Sequence, residues 1–381
     1  FGSALPAVAA PVIWQGNTSG AWGTGSNWDT GTVPTSGDNA YLPQGPAPGT
    51  KTIGLGAGAV ANFLFVEDTG YTAQSGDLTL TDQLWIQQTG GAGLTLAASG
   101  TITAVNATLG ADAGKSGSLT VSAPAGASLV IPGAGALTIG NQGTGSVRVG
   151  AFGEFPGSTL TAGTIQMGVG SSSSGNTMSV WQSVTTSNFI AGVAGGSNAV
   201  SINYAGSLVV SGNSDVVLGS GATSNGNSLT MNIAASLSAS KNVVVGYDGS
   251  SNSVAVTQGG FGPGSQVTSQ GIRLGVNAGS HGNSVTVDGP GSSWTTNGQQ
   301  AIYVGVSGSN NTFSITGGGV LTVGGTDKNV YVGSGAATSN GNALVVNGSG
   351  SKLVMSGANA DLVVSGTNGQ TGNVVQVVNG G

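Results

Sequence analysis

The chain of 381 residues carries 13 acidic and 7 basic side chains, a formal net charge of −6, and no cysteine. So few Lys and Arg exclude a basic nucleic-acid surface, and the missing thiols exclude disulfide and cysteine chemistry. Only 5% of residues are charged, while 73 are glycine and 38% hydrophobic, which leaves little for acid–base chemistry but enough apolar material for a strand-rich body.

Residues 1–13, FGSALPAVAAPVI, read as an uncharged apolar arm that fits no repeat. Phe1, Leu5, Val8 and Val12 are its candidates for contact with another subunit. No run of 18 apolar residues follows, so no membrane-spanning helix is expected. Residues 14–50 read as an N-terminal cap. Trp14, Trp22 and Trp28 are three of the six tryptophans, and Asp38 closes the segment WQGNTSGAWGTGSNWDTGTVPTSGD. A solenoid exposes the edge of its first rung, which large aromatics can cover while Asp38 meets free amides. A cluster of exposed tryptophans that binds carbohydrate is the competing reading.

Residues 51–381 read as one repeat array. Aligning SGNTMSV, GSNAVSI, NGNSLTM, SSNSVAV, HGNSVTV, SNNTFSI, NGNALVV and TGNVVQV places Asn176, Asn198, Asn227, Asn252, Asn283, Asn311, Asn342 and Asn373 in one column. Their spacings are 22, 29, 25, 31, 28, 31 and 31 residues, a period of about 28 with tolerated insertions. Side chains alternate along a strand, so the residues two and four beyond each Asn share its face. All are apolar, as in Val285/Val287 and Phe313/Ile315, and the Asn therefore points inward into a ladder of stacked amides. A second strand precedes each Asn (VVLG at 216, VVVG at 243, IRLG at 272, IYVG at 302, VYVG at 330), and a third follows a Gly-rich corner. Three short strands per turn of about 28 residues describe an all-β parallel β-helix, a β-solenoid of roughly a dozen coils. Before residue 165, SGDLTL (75–80), SGSLTV (116–121) and TGSVRV (144–149) carry Gly in place of the Asn, with Arg148 outward.

The Trp-rich segment, with its W-x-G, S-G-x-W, S-N-W and V-P-x-x-G-D spacing, resembles the opening of many bacterial cell-surface β-solenoids. These include autotransporter passengers and proteins with autotransporter-associated strand repeats. The resemblance covers about 25 residues, with a loosely similar repeat style beyond them, and implies export and surface display. This sequence departs from full-length autotransporters in showing no C-terminal barrel.

No catalytic, cofactor or metal site is read from the sequence. His281, the only histidine, falls at a variable turn position two residues before Asn283, with no second His or Cys to share a metal. The carboxylates Asp215, Asp248, Asp288, Asp327 and Asp361 are isolated, whereas polysaccharide-degrading β-helices need them clustered. Arg273, Tyr303 and Tyr331 stand outward on successive second strands, either as a stabilising stack or as a contact strip.

The expected function is structural: an extracellular or cell-surface subunit that polymerises head to tail by strand addition. At the C-terminal end Val375 and Val377 face inward in a rung that nothing in the sequence caps, and outward positions turn apolar at Val345 and Val374. These four, with the N-terminal arm, form the expected contact. The alternatives are a monomeric adhesin or autotransporter passenger that binds glycans or surfaces, and a polysaccharide-degrading β-helix enzyme. Partners are accordingly further copies of the chain, with glycans or other cell-surface material second and nucleic acid excluded.

Overall fold

A computed structural model describes residues 11–15, 19–44, 50–124, 126–154, 157–260, 262–356 and 359–381. It is an all-β parallel β-solenoid with about 28 residues per turn, in two compact units, Phe1–Thr164 and Ile165–Gly381. Among the described residues the only helical element is the short turn Gly25–Asn27. No helix of these residues is long and apolar enough to cross a membrane.

From Ala199 to Val364 each turn lays down three strands, each parallel to its counterpart in the neighbouring turn. Ser284–Asp288, Ser293–Thr296 and Ile302–Val304 form one such turn. The first pairs with Thr312–Thr316, the second with Val320–Val323 and the third with Val330–Val332. Alternation sets the core: Val285, Val287, Trp294, Ile302 and Val304 are fully buried, as are Phe313, Ile315, Leu321, Val330 and Val332 beneath them. A one-residue slip would turn each set to solvent, so burial pins the register. Trp294 fits among aliphatic neighbours because its indole Nε1 donates to Ser269 Oγ at 3.0 Å.

The spacing between asparagines is not a scatter of insertions. From Gly168 to Gly305 each third strand ends in a left-handed glycine, and the glycine-to-Asn interval alternates. Gly168–Asn176, Gly219–Asn227 and Gly275–Asn283 span eight residues, while Gly192–Asn198, Gly246–Asn252 and Gly305–Asn311 span six. Three residues before the Asn, the long turns carry buried Ser173, Ser224, Ser280 and Ser339, and the short ones carry Gly195, Gly249 and Gly308. Each serine hydroxyl after the first donates to the carbonyl of the glycine in the turn before: Ser224 to Gly195 at 3.1 Å, Ser280 to Gly249 at 2.7 Å, Ser339 to Gly308 at 3.3 Å. A β-carbon on any of those glycines would overlap the carbonyl of the serine in the preceding turn. Over these turns the repeat is therefore two turns long; beyond them Gly333–Asn342 spans nine residues, and Ser365 takes the glycine's place eight residues before Asn373.

In the N-terminal unit the stack begins before residue 51. Val12–Ile13 already pairs in parallel with Asn39–Leu42, which pairs with Phe63–Val66. Val12 is buried within that rung, so it is no part of a free arm and is not open to another subunit; Phe1, Leu5 and Val8 lie outside the described residues. The segment SGDLTL also takes a different place from its look-alikes. SGSLTV stacks on TGSVRV, but its upper neighbour is Ala92–Ala97, whereas Asp77–Thr79 pairs with Thr101–Thr103 on another face. Leu78-Thr-Leu80 and Leu94-Thr-Leu96 present the same alternation, and a period of two cannot tell one face of the coil from the next.

Candidate functional site

The asparagine column runs unbroken through the C-terminal unit. Asn283 shows the unit cell: its Nδ2 donates to Asn311 Oδ1 at 3.0 Å and to Ser280 Oγ at 2.9 Å, and its backbone N–H donates to the same Asn311 Oδ1 at 3.0 Å. Its own Oδ1 accepts the same pair of bonds from Asn252, at 2.9 Å from the backbone and 3.0 Å from the amide. The amide-to-carbonyl distance is 2.6 Å from Asn176 to Asn198, 2.6 Å from Asn198 to Asn227 and 2.8 Å from Asn227 to Asn252. It is 3.0 Å from Asn311 to Asn342 and 3.1 Å from Asn342 to Asn373. Every link points the same way, donor in one turn and acceptor in the next. Asn side chains can be buried in this way because neither half of the amide is left unmet.

Asn373 is the last of the series. Its Nδ2 turns back to the carbonyl of Ser339 at 2.8 Å and to Ser365 Oγ at 3.1 Å. Around it Val377 is 61% exposed, Val374 47% and Leu362 43%. Val375 is half-buried and so is Val345, one turn earlier.

The three N-terminal tryptophans are not a sugar platform. Trp14, Trp22 and Trp28 are 2%, 1% and 1% exposed. Trp28 stands edge-on to Trp14 at 5.0 Å and to Trp22 at 4.9 Å, and its Nε1 donates to the carbonyl of Trp22 at 2.9 Å. Asp38 closes its own turn: Oδ2 accepts from the Thr35 N–H at 2.8 Å and hydroxyl at 2.6 Å, which holds its carboxyl below the usual carboxylate range.

His281 is exposed, and its turn position proves to be chosen for its acceptor. The His281 N–H donates to Ser250 Oγ at 3.0 Å, and Ser309 places its hydroxyl 2.8 Å from His281 Nδ1. The same position one turn before and three turns beyond makes equivalent bonds, Ser250 N–H to Asn225 Oδ1 at 2.6 Å and Thr371 N–H to Asn340 Oδ1 at 2.7 Å. Ser, His and Asn share this place because each offers an acceptor to the next turn. Tyr303 and Tyr331 stack at 5.0 Å with rings 9° from parallel, beside Arg273, whose Nη2 donates to Gln300 Oε1 at 2.8 Å. Burial, with the Asp327 carboxylate second, raises the Tyr303 phenol above its ordinary value.

A second outward feature has no counterpart among the residues singled out from sequence. On one face of the N-terminal unit NAYL (39–42), FLFV (63–66) and QLWI (83–86) stack in register. Tyr41, Phe63, Phe65 and Trp85 are all half-buried on its outer side. Aromatics at alternate outward positions, where the other strands carry Ser and Thr, are the signal that marks this face.

Among the described residues no three His, Asp or Glu side chains gather into a group that could hold a metal ion. Compared with protein-family models, curated proteins and solved structures, the chain matches none.

Proposed function

We propose that this is a structural protein of the bacterial surface or extracellular space, a rigid solenoid subunit that lengthens by strand addition at the edge occupied by Asn373, Val375 and Val377. The observation that supports it is the one-way amide ladder, in which every turn offers the next the same pair of donors. A strand that completes it brings a side-chain oxygen opposite Asn373 and apolar groups beneath Val375 and Val377. The donor in this reading is the N-terminal apolar arm of a second copy. Such a contact joins unlike surfaces and yields an open fibre. The Trp-rich segment, similar to those of exported bacterial solenoids, supports the location.

The test is electron microscopy and size-exclusion chromatography of three proteins: the intact chain, a variant lacking residues 1–10, and Val377→Asp. Fibres are expected from the intact chain alone, with strand-rich circular dichroism from all three. An intact chain that stays monomeric at high concentration, with the amides of Val374–Val378 protected from hydrogen exchange, overturns the reading.

A further inference from the structure

The outward aromatic face of the N-terminal unit borders a groove of about 320 Å³. We infer that this groove is a binding site for a neutral glycan chain. Its apolar side is built from Tyr41, Phe63, Phe65 and Trp85. Tyr41 and Phe65 stack at 5.3 Å, 13° from parallel, and Phe63 meets Trp85 edge to face at 5.2 Å. These contacts hold the rings as one rigid surface, so little side-chain freedom is lost when a ligand covers it. The Tyr41 hydroxyl is tied to Glu67 and the Trp85 Nε1 donates to Gln83 Oε1 at 2.5 Å, which fixes both rings at their polar ends.

The rim supplies hydrogen bonds. Asn62 Nδ2 donates to Asn39 Oδ1 at 3.0 Å and Asn62 Oδ1 accepts from Thr81 at 3.0 Å. Those bonds orient the two amides and leave the Asn39 amide hydrogens without an acceptor among the described residues. Among the same residues the Gln83 amide hydrogens have no acceptor and the Asp82 carboxylate no donor. Amide donors and a carboxylate acceptor beside ring surfaces match a pyranose, which offers hydroxyls at its edge and C–H groups on its face. Registered positions from Pro11 through Asn39 and Phe63 to Gln83 span three rung spacings, about 14 Å, a length that suits an oligosaccharide rather than one sugar. Charge sets the class. Among the described residues Asp82 is the only charged group lining the groove, and it repels an acidic polysaccharide while accepting from the hydroxyls of a neutral one.

The intact chain is titrated with neutral cello-, xylo-, malto- and chito-oligosaccharides and, separately, with alginate and hyaluronan oligomers, by calorimetry and tryptophan emission. At least one neutral series is expected to bind in the millimolar range or tighter, with a change in emission that Trp85→Phe removes. Phe63→Ala should weaken binding about tenfold or more, with an unchanged circular-dichroism spectrum and melting temperature showing that the fold survives. Asp82→Asn should raise affinity for the acidic oligomers. The assignment is overturned if no neutral oligosaccharide binds more tightly than about 10 mM, or if Phe63→Ala binds as the parent does. It is equally overturned if the groove takes the peptide FGSALPAVAA but no glycan.

Discussion

Gly246 and Asn283 interlock across neighbouring turns. Gly246 ends a third strand at φ +77°, and a β-carbon placed on it would overlap Nδ2 of Asn283 and the hydroxyl of Ser280. The relationship recurs between Gly219 and Asn252, Gly275 and Asn311, Gly305 and Asn342, and Gly333 and Asn373. The glycine that closes each third strand is there for the amide of the next turn as much as for its own backbone.

Gly246→Ala should therefore destabilise the C-terminal unit by more than about 2 kcal/mol, combining left-handed strain with a displaced buried amide. Gly279→Ala is the control, because nothing lies within 4 Å of its β-carbon position, and it should be near neutral. Urea melts of the two variants against the parent check the contrast.

Replacing Asn283 by Leu strips the backbone N–H and the amide of Asn252 of their shared acceptor and should cost about 1–3 kcal/mol. His281→Ser should change little, since Ser250 already fills the same role one turn earlier with its hydroxyl. Hydrogen exchange at the Asn252 backbone N–H should quicken in the first variant alone. Equal losses from both would refute the assigned register.

Trp28→Ala should be among the most damaging single changes in the N-terminal unit, about 3–5 kcal/mol. It removes a buried ring that two other indoles lean on, together with the Nε1 bond to Trp22. Near-ultraviolet circular dichroism should lose the coupled tryptophan signal before the strand signal changes.

Alkali should act on the N-terminal unit through two phenols. Burial raises both Tyr41 and Tyr71 above the ordinary value of 10.0, with Glu67 adding to the first and Asp68 to the second. The folded state prefers the neutral phenol, so this stabilisation is complete below about pH 10 and is lost as pH rises past it. Thermal midpoints should fall above pH 10, and less so in Tyr41→Phe, which cannot ionise. A midpoint that rises across this range would contradict the assignment.

The repeat, the inward pairs and the asparagine column are legible in the sequence because a strand face has a period of two and the Asn recurs at the same phase. Turn chemistry is harder to read. Alignment on the asparagines absorbs the alternation of six- and eight-residue turns into an average of about 28, and Ser224 against Gly249 looks like ordinary variation until the carbonyl between them is seen. The aromatic face is missed for a related reason: FLFV and QLWI carry no asparagine to enter the alignment, and Asn39 of NAYL pairs with Phe63 rather than with another asparagine. Their inner residues, Leu42, Leu64 and Leu84 among them, look like any other core.

Because each amide in the column gives its hydrogens to the turn that follows, the ladder has a direction in time as well as in space. A chain that emerges N-terminus first folds each turn against one already in place. Its newest asparagine then waits, donors unmet, for the next carbonyl to arrive. Each turn is finished only by its successor, so the solenoid closes like a ratchet that advances one tooth with every 28 or so residues delivered.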